Sequence, residues 1–373
     1  MSDLAPLARF GGLVATDLRD VTNDPTALDS TGWWAVVVTF EGEVTCARFG
    51  DVRPAQGRPA DVRTPARVRT PGGPPHPWRG PAPGGWISSL DRAAYTAGVR
   101  RVREHISAGD VYQVNLCRVL TAPLPDPRPA ASDVDRLTAL LARGNPAPYA
   151  GTVRLPAHGV EVATASPELF LRRDGATVSS GPIKGTGRTA ADLSEKDRAE
   201  NVMIVDLVRN DLGRVCATGT VTVPALCAVE PHPGLVHLVS TVRGEIAREH
   251  RPYAWARLLA DTFPPGSVSG APKHRALQVV RSLETVPRGP YCGAVGWVDA
   301  DRRTGELAVG IRTFWIDRGV PGGPVLRFGT GAGITWGSDP EREWEETELK
   351  ASRLLAVASG AYRNESRNER TTT

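Results

Sequence analysis

No stretch of the 373 residues carries the run of roughly 18 apolar side chains that a membrane-crossing helix needs. The N-terminus, M-S-D-L-A-P-L-A-R-F, has no basic segment leading into a long apolar one, so no secretory signal is expected. Cysteine is scarce and odd in number: Cys46, Cys117, Cys216, Cys227 and Cys292 are scattered, and no C-x-x-C pair occurs. Neither a disulfide framework nor a zinc site is indicated, and a reduced, cytoplasmic setting is the expectation. The seven histidines show no helical ligand spacing. A dominant charge is missing as well. The net charge of +4 is spread through the chain, too weak for a nucleic-acid partner and compatible with a small anionic substrate. The phosphate-loop spacing G-x-x-x-x-G-K-[ST] is absent.

What is present is an ordinary globular composition, 40% hydrophobic and 23% charged, long enough for one large domain or two of usual size. Residues 31–48 read as two short strands joined at Glu41-Gly42, and 54–85 form a proline-rich break. Residues 91–107 read as a helix with Tyr95, Val99, Val102 and Ile106 as its buried stripe and Gly109 as its stop. A strand over 110–118 sets Tyr112, Val114 and Leu116 on one face and Gln113 and Asn115 on the other. Further helices are expected at 133–143, 253–260 and 273–283, and strands at 160–165, 221–223, 238–246, 291–299, 307–315 and 325–329. The run G-T-G-A-G-I that follows reads as a turn.

Two ionisable residues stand out in S-P-E-L-F-L-R-R-D-G-A-T-V-S-S-G-P-I-K-G-T, a strand, turn and strand closed by a Gly-bounded loop. They are Glu168, after Ser-Pro, and Lys184, between Pro-Ile and Gly-Thr. A helix starting at Ser194 carries Asp197 and Glu200 three apart, with Ser194 and Asp197 spaced as a capping box. A final helix, started by Asp339-Pro340, carries Glu343, Glu346 and Lys350 on one face. Acids in a first helical turn complement the helix dipole. Two such helices together also suit a hard divalent ion such as Mg2+, which takes a few carboxylates and keeps waters.

The segments S-P-E-L-F, P-I-K-G-T, E-N-V-M-I-V-D-L-V-R-N-D-L, F-P-P-G-S-V-S-G-A-P-K, Y-C-G-A-V-G, I-R-T, G-A-G-I and W-E-E-T-E-L-K-A occur in that order. Together they resemble the chorismate-utilising enzymes over about residues 91–358. The resemblance implies an α+β fold of two large, mainly antiparallel sheets stacked face to face, with helices outside and the active site in the cleft. Residues 1–85 would be part of that fold, 86–360 the chorismate-binding domain and 361–373 a disordered tail.

Carried over to this chain, the resemblance implies Mg2+ held by Glu200 and Glu346, with Asp197 and Glu343 as outer partners. Asp197 stands where a glutamate is usual. The metal would hold the ring carboxylate of chorismate, assisted by Lys350 and the amides of Gly331, Ala332 and Gly333. Arg312 and Tyr291 would hold the enolpyruvyl carboxylate, His237 and Ser267 would line the ring, and Glu168 would be the general acid. Gln113 stands where water-adding relatives use a lysine base, and a glutamine cannot abstract a proton. Lys184 stands where anthranilate-forming relatives usually carry alanine. It matches the members that aminate carbon 4, in which a lysine is the covalent nucleophile. Gly187-Arg188-Thr189 departs from the usual arginine-proline-arginine. No cysteine has the Gly-rich strand-to-helix setting of a glutaminase nucleophile, so ammonia is expected from a separate glutamine amidotransferase subunit.

Overall fold

The computed structural model describes residues 4–55, 78–187, 189–232 and 235–361. Most of the proline-rich break, Arg188, and the tail expected over 361–373 except its first residue lie outside the described residues. The chain opens with β1 (Leu7–Phe10), β2 (Leu13–Thr22), β3 (Trp33–Val38) and β4 (Val44–Pro54). A short β5 (Ile87–Ser88) leads to α1 (Arg92–Ser107), β6 (Gln113–Pro123) and α2 (Val134–Gly144). Five strands follow: β7 (Tyr149–Leu155), β8 (Val160–Ser166), β9 (Leu169–Asp174), β10 (Thr177–Gly181) and β11 (Ile183–Gly187). Next come α3 (Glu195–Gly213), β12 (Thr222–His232), β13 (Leu235–Glu245), α4 (Ala254–Thr262), β14 (Gly270–Ala271) and α5 (Lys273–Leu283). The chain closes with β15 (Ala294–Asp299), β16 (Thr304–Val309), β17 (Thr313–Asp317), β18 (Val325–Ile334) and α6 (Pro340–Ala358).

Helix ends follow local chemistry. Asp91 caps α1 by accepting from Ala94 N, Tyr95, Val99 and Val102 are buried, and Gly109 takes a φ of +79° just past the end. Asp339 caps α6 by accepting from the amides of Glu341 and Arg342, with Pro340 in the first turn.

Every described strand pairing is antiparallel, and the strands form one ladder. Its first half runs β12-β13-β10-β9-β16-β15-β3-β4, with β11 also on β13. It turns through β2 and β1 into β7-β8-β17-β18-β6, with β5 and β14 on β6. Strand β3 shows how the layers stack. Its Trp34, Val36 and Val38 share a core with Ile204 and Val208 of α3 and Trp255 and Leu258 of α4. Its Trp33, Ala35 and Val37 meet Phe10, Val153, Leu155 and Val162 from the other half. The outer side of that half is covered by α2 and α6 at one end and by α1 and α5 at the other. The result is the α+β arrangement of two facing antiparallel layers with helices outside, joined here through one continuous ladder.

Four local expectations are corrected. Strands β1 and β2 were not expected, because their alternation is weak and β2 is largely half-exposed. The run G-T-G-A-G-I, read as a turn, is the end of β18 and pairs with β6 from Gly329↔Val119 to Ile334↔Val114. Its glycines serve close approach: a Cβ at Gly329 would lie 2.0 Å from the Tyr291 ring, and one at Gly331 2.6 Å from Cys117 Sγ. The strand expected at 307–315 is broken in two at Arg312, which has a φ of +52°. Tyr112 precedes β6 and is 73% exposed, away from buried Val114 and Leu116.

Candidate active site

Between β8 and β9 the Ser166-Pro167-Glu168 link interrupts the ladder, since proline has no N–H to give. Ser166 Oγ accepts from Glu168 N at 3.2 Å and donates to Val309 O at 2.6 Å, which fixes the link. Glu168 is buried. Burial pushes its carboxyl up to about 7, against the opposing pull of the Ser267 hydroxyl, the Lys184 charge and the Ile183 amide.

Lys184 is half-buried on β11, and its Nζ donates to Ser267 O at 3.3 Å. Glu168 and Lys184 therefore meet the same residue, one through its side chain and the other through its carbonyl. Desolvation lowers the Lys184 pKa. Glu200 opposes that shift, as do Glu168 and Glu346, while Lys350 adds to it. Gly185, with a φ of +81°, lets β11 lie on the first turn of α3, where a Cβ would come within 2.9 Å of Asp197 Cβ.

The two ends of the ladder meet at Gly333. A Cβ there would lie 2.5 Å from Gln113 Nε2 on β6 and 3.5 Å from Lys184 Nζ on β11. Gln113 is buried, and neither its carboxamide oxygen nor its nitrogen has a hydrogen-bond partner among the described residues. This leaves an unpaired donor and acceptor beside Lys184, which suit a polar ligand.

The acids lie around this point on two helices. Glu343 is buried and accepts from Ser338 Oγ at 2.5 Å; burial raises its pKa, the Ser338 bond opposes the rise, and Glu346 adds to it. Glu346 pairs with Lys350 at 2.6 Å, and Lys350 Nζ also donates to Gly331 O at 3.1 Å. Lys196 lies 3.7 Å from Glu200 and 3.8 Å from Glu343. Asp197 forms the capping box that its spacing suggested, Oδ2 accepting from Ser194 N at 2.8 Å and Ser194 Oγ at 2.7 Å. Among the described residues no three acid, histidine or cysteine side chains are gathered tightly enough to cage an ion on their own. Carboxylate oxygens from facing helices suit Mg2+, which completes its shell with water and substrate oxygens. The donor set fits that ion, with Asp197 already committed to the helix cap.

Three expected residues sit apart from this cluster or at its edge. The Tyr291 ring packs on Gly329, and its hydroxyl accepts from Cys117 Sγ at 3.8 Å; burial raises its pKa well above the usual value. Arg312 is half-buried, has no ion-pair partner among the described residues, and burial lowers its pKa, a setting that favours an anion. His237 is buried on β13, in register with Thr186, two residues from Lys184. Two residues were missed from the sequence. Lys196 was visible only as a cation four before Glu200. Asn201 holds α3 to β13, donating to Leu238 O at 3.2 Å and accepting from Ser240 Oγ.

A family model described as chorismate binding enzyme matches residues 38–356. The anthranilate synthase component 1 of Streptomyces coelicolor is 40% identical over 317 residues, covering 82% of this chain and 56% of that protein. The aminodeoxychorismate synthase component 1 of Salmonella typhimurium is 32% identical over 363 residues, 93% of this chain and 73% of that protein. The chain spans 56% to 62% of the length of three anthranilate synthases that it matches. The menaquinone-specific isochorismate synthase of Escherichia coli superposes with a TM-score of 0.73 at 19% identity, over 96% of this chain and 90% of that one, a likeness of fold.

Proposed function

The chain belongs to the chorismate-binding enzyme family, and from that premise we propose that it aminates chorismate at carbon 4, giving 4-amino-4-deoxychorismate. The observation that carries the reading is Glu168, with its carboxyl raised to about 7, and Lys184, with its ammonium lowered, meeting at Ser267. A neutral Lys184 amine attacks carbon 2. The two ring double bonds shift, the carbon 4–oxygen bond breaks, and the Glu168 proton leaves with that hydroxyl as water. Ammonia then adds at carbon 4, the double bonds shift back, and Lys184 departs as the neutral amine. The proton that the ammonia gives up returns to Glu168, so the net change is ammonia in and water out.

Glu200 and Glu346, with Glu343 and Asp197 behind them, would hold Mg2+, whose charge would fix the ring carboxylate. Lys350 and the backbone of Gly331, Ala332 and Gly333 assist there. Arg312, with Tyr291, takes the enolpyruvyl carboxylate, and His237 and Ser267 line the ring. Gln113 offers its free amide to the incoming group without acting as a base. Ammonia comes from a separate glutamine amidotransferase subunit, a reading that the component 1 names of the relatives support. The product serves para-aminobenzoate and folate synthesis or a specialised metabolite.

Anthranilate synthesis is the second reading, supported by the 40% identity to such an enzyme. Lys184 separates the two. Lys184→Ala is expected to slow 4-amination at least about 100-fold and to shift residual product towards carbon 2. Wild-type rates of 4-amination by that variant, measured by chromatography of the products, would remove the nucleophile role.

A further inference from the structure

The lysines among the candidate metal acids are held differently. Lys350 is anchored, 2.6 Å from Glu346 and bonded to Gly331 O. Lys196, in the first turn of α3, has no such anchor. Its Nζ lies 3.7 Å from Oε1 of Glu200, one turn along the same helix, and 3.8 Å from Oε1 of Glu343 on α6. Both distances exceed a hydrogen bond, so charge alone holds the ammonium there. The Lys196 side chain is 53% exposed, and its stem is free to swing into solvent, whereas Glu343 is 6% exposed and cannot follow. One half-exposed cation thus spans carboxylates from the two helices proposed to share an ion.

We propose that Lys196 is a tethered counter-cation that ties α3 to α6 through Glu200 and Glu343 and that a divalent ion must displace. The inference rests on the metal reading given above. It assigns Lys196 a role in setting metal affinity and helix cohesion, and none in touching the substrate. Two effects follow. The divalent ion binds more weakly than the acids alone would allow, because a positive charge must be moved aside. Removal of Lys196 leaves Glu200 and Glu343 without their shared counter-charge, so α3 and α6 are held less well until an ion arrives.

The test uses the full chain without substrate, with Lys196→Met, which keeps the stem and removes the charge, and Lys196→Arg, which keeps the charge. Mg2+ and Mn2+ are titrated by calorimetry, and thermal unfolding is followed in EDTA and in excess Mg2+. The Met variant is expected to bind each ion about tenfold more tightly, to melt below wild type in EDTA, and to recover in Mg2+. The Arg variant stays near wild type. Lys196→Gln provides an independent neutral replacement and must move both quantities in the same direction as the Met variant. Unchanged or weaker metal affinity in the neutral variants would overturn the inference. A wild-type chain that binds neither ion would sink the metal reading and this inference with it. Wild-type binding that the neutral variants match would sink this inference alone.

Discussion

Glu168 carries two separable consequences of one burial. A carboxyl raised from 4.5 to about 7 can be an acid at neutral pH, and it also taxes the fold. The folded state binds the proton more tightly than the unfolded one. Stability therefore falls as pH rises from about 4.5 towards 7, and the whole loss is present above that. Glu168→Gln is neutral throughout and escapes the loss. It is expected to melt higher than wild type at pH 8, by at most a few kcal/mol, and alike at pH 4. Its turnover should fall at least about 100-fold, as loss of a general acid does. Scanning calorimetry at the two pH values checks the first effect; an equal offset at both would show that the side chain is not desolvated. Wild-type activity should decline above pH 7 as Glu168 loses its proton. Both residues were readable in the sequence as types in a motif. Their altered proton affinities come from desolvation in a pocket that distant segments assemble, and Ser267, Glu200 and Glu346 of those segments oppose the shifts.

At the scale of elements, α3 does two jobs with one turn. Its capping box starts the helix and places Asp197 against Gly185, so β11 and Lys184 are registered on the cap. Ser194→Ala should cost about 1 kcal/mol of stability and lower kcat more than it raises KM, because it disturbs the seat of Lys184 more than the anion contacts. Denaturant melts with steady-state kinetics test this; lost stability with unchanged kcat would separate the cap from the site. Such helix ends were legible because capping is local: Ser194 and Asp339 each do what their spacing predicts. The glycine strand β18 was not, since a run of glycines reads as a turn until Cys117 and Tyr291 are seen pressing against it. Nor was the break at Arg312, where an apolar run continues straight through the kink.

For the whole molecule, local pattern supplied mixed strands and helices, while the two-layer architecture came only with the resemblance. The decisive pairings are long-range: β1 with β7, β15 with β3, and the meeting of β6, β11 and β18 around Gly333. No short window of sequence contains them. That meeting point brings Gln113 and Lys184 to one place, and the reaction proposed for the chain depends on it. The most direct test is to incubate the purified chain with chorismate, Mg2+ and ammonium and to assign the aminated carbon of the product by NMR. Nitrogen on carbon 4 with the enolpyruvyl ether intact is the predicted result. Nitrogen on carbon 2, with or without release of pyruvate, would contradict it.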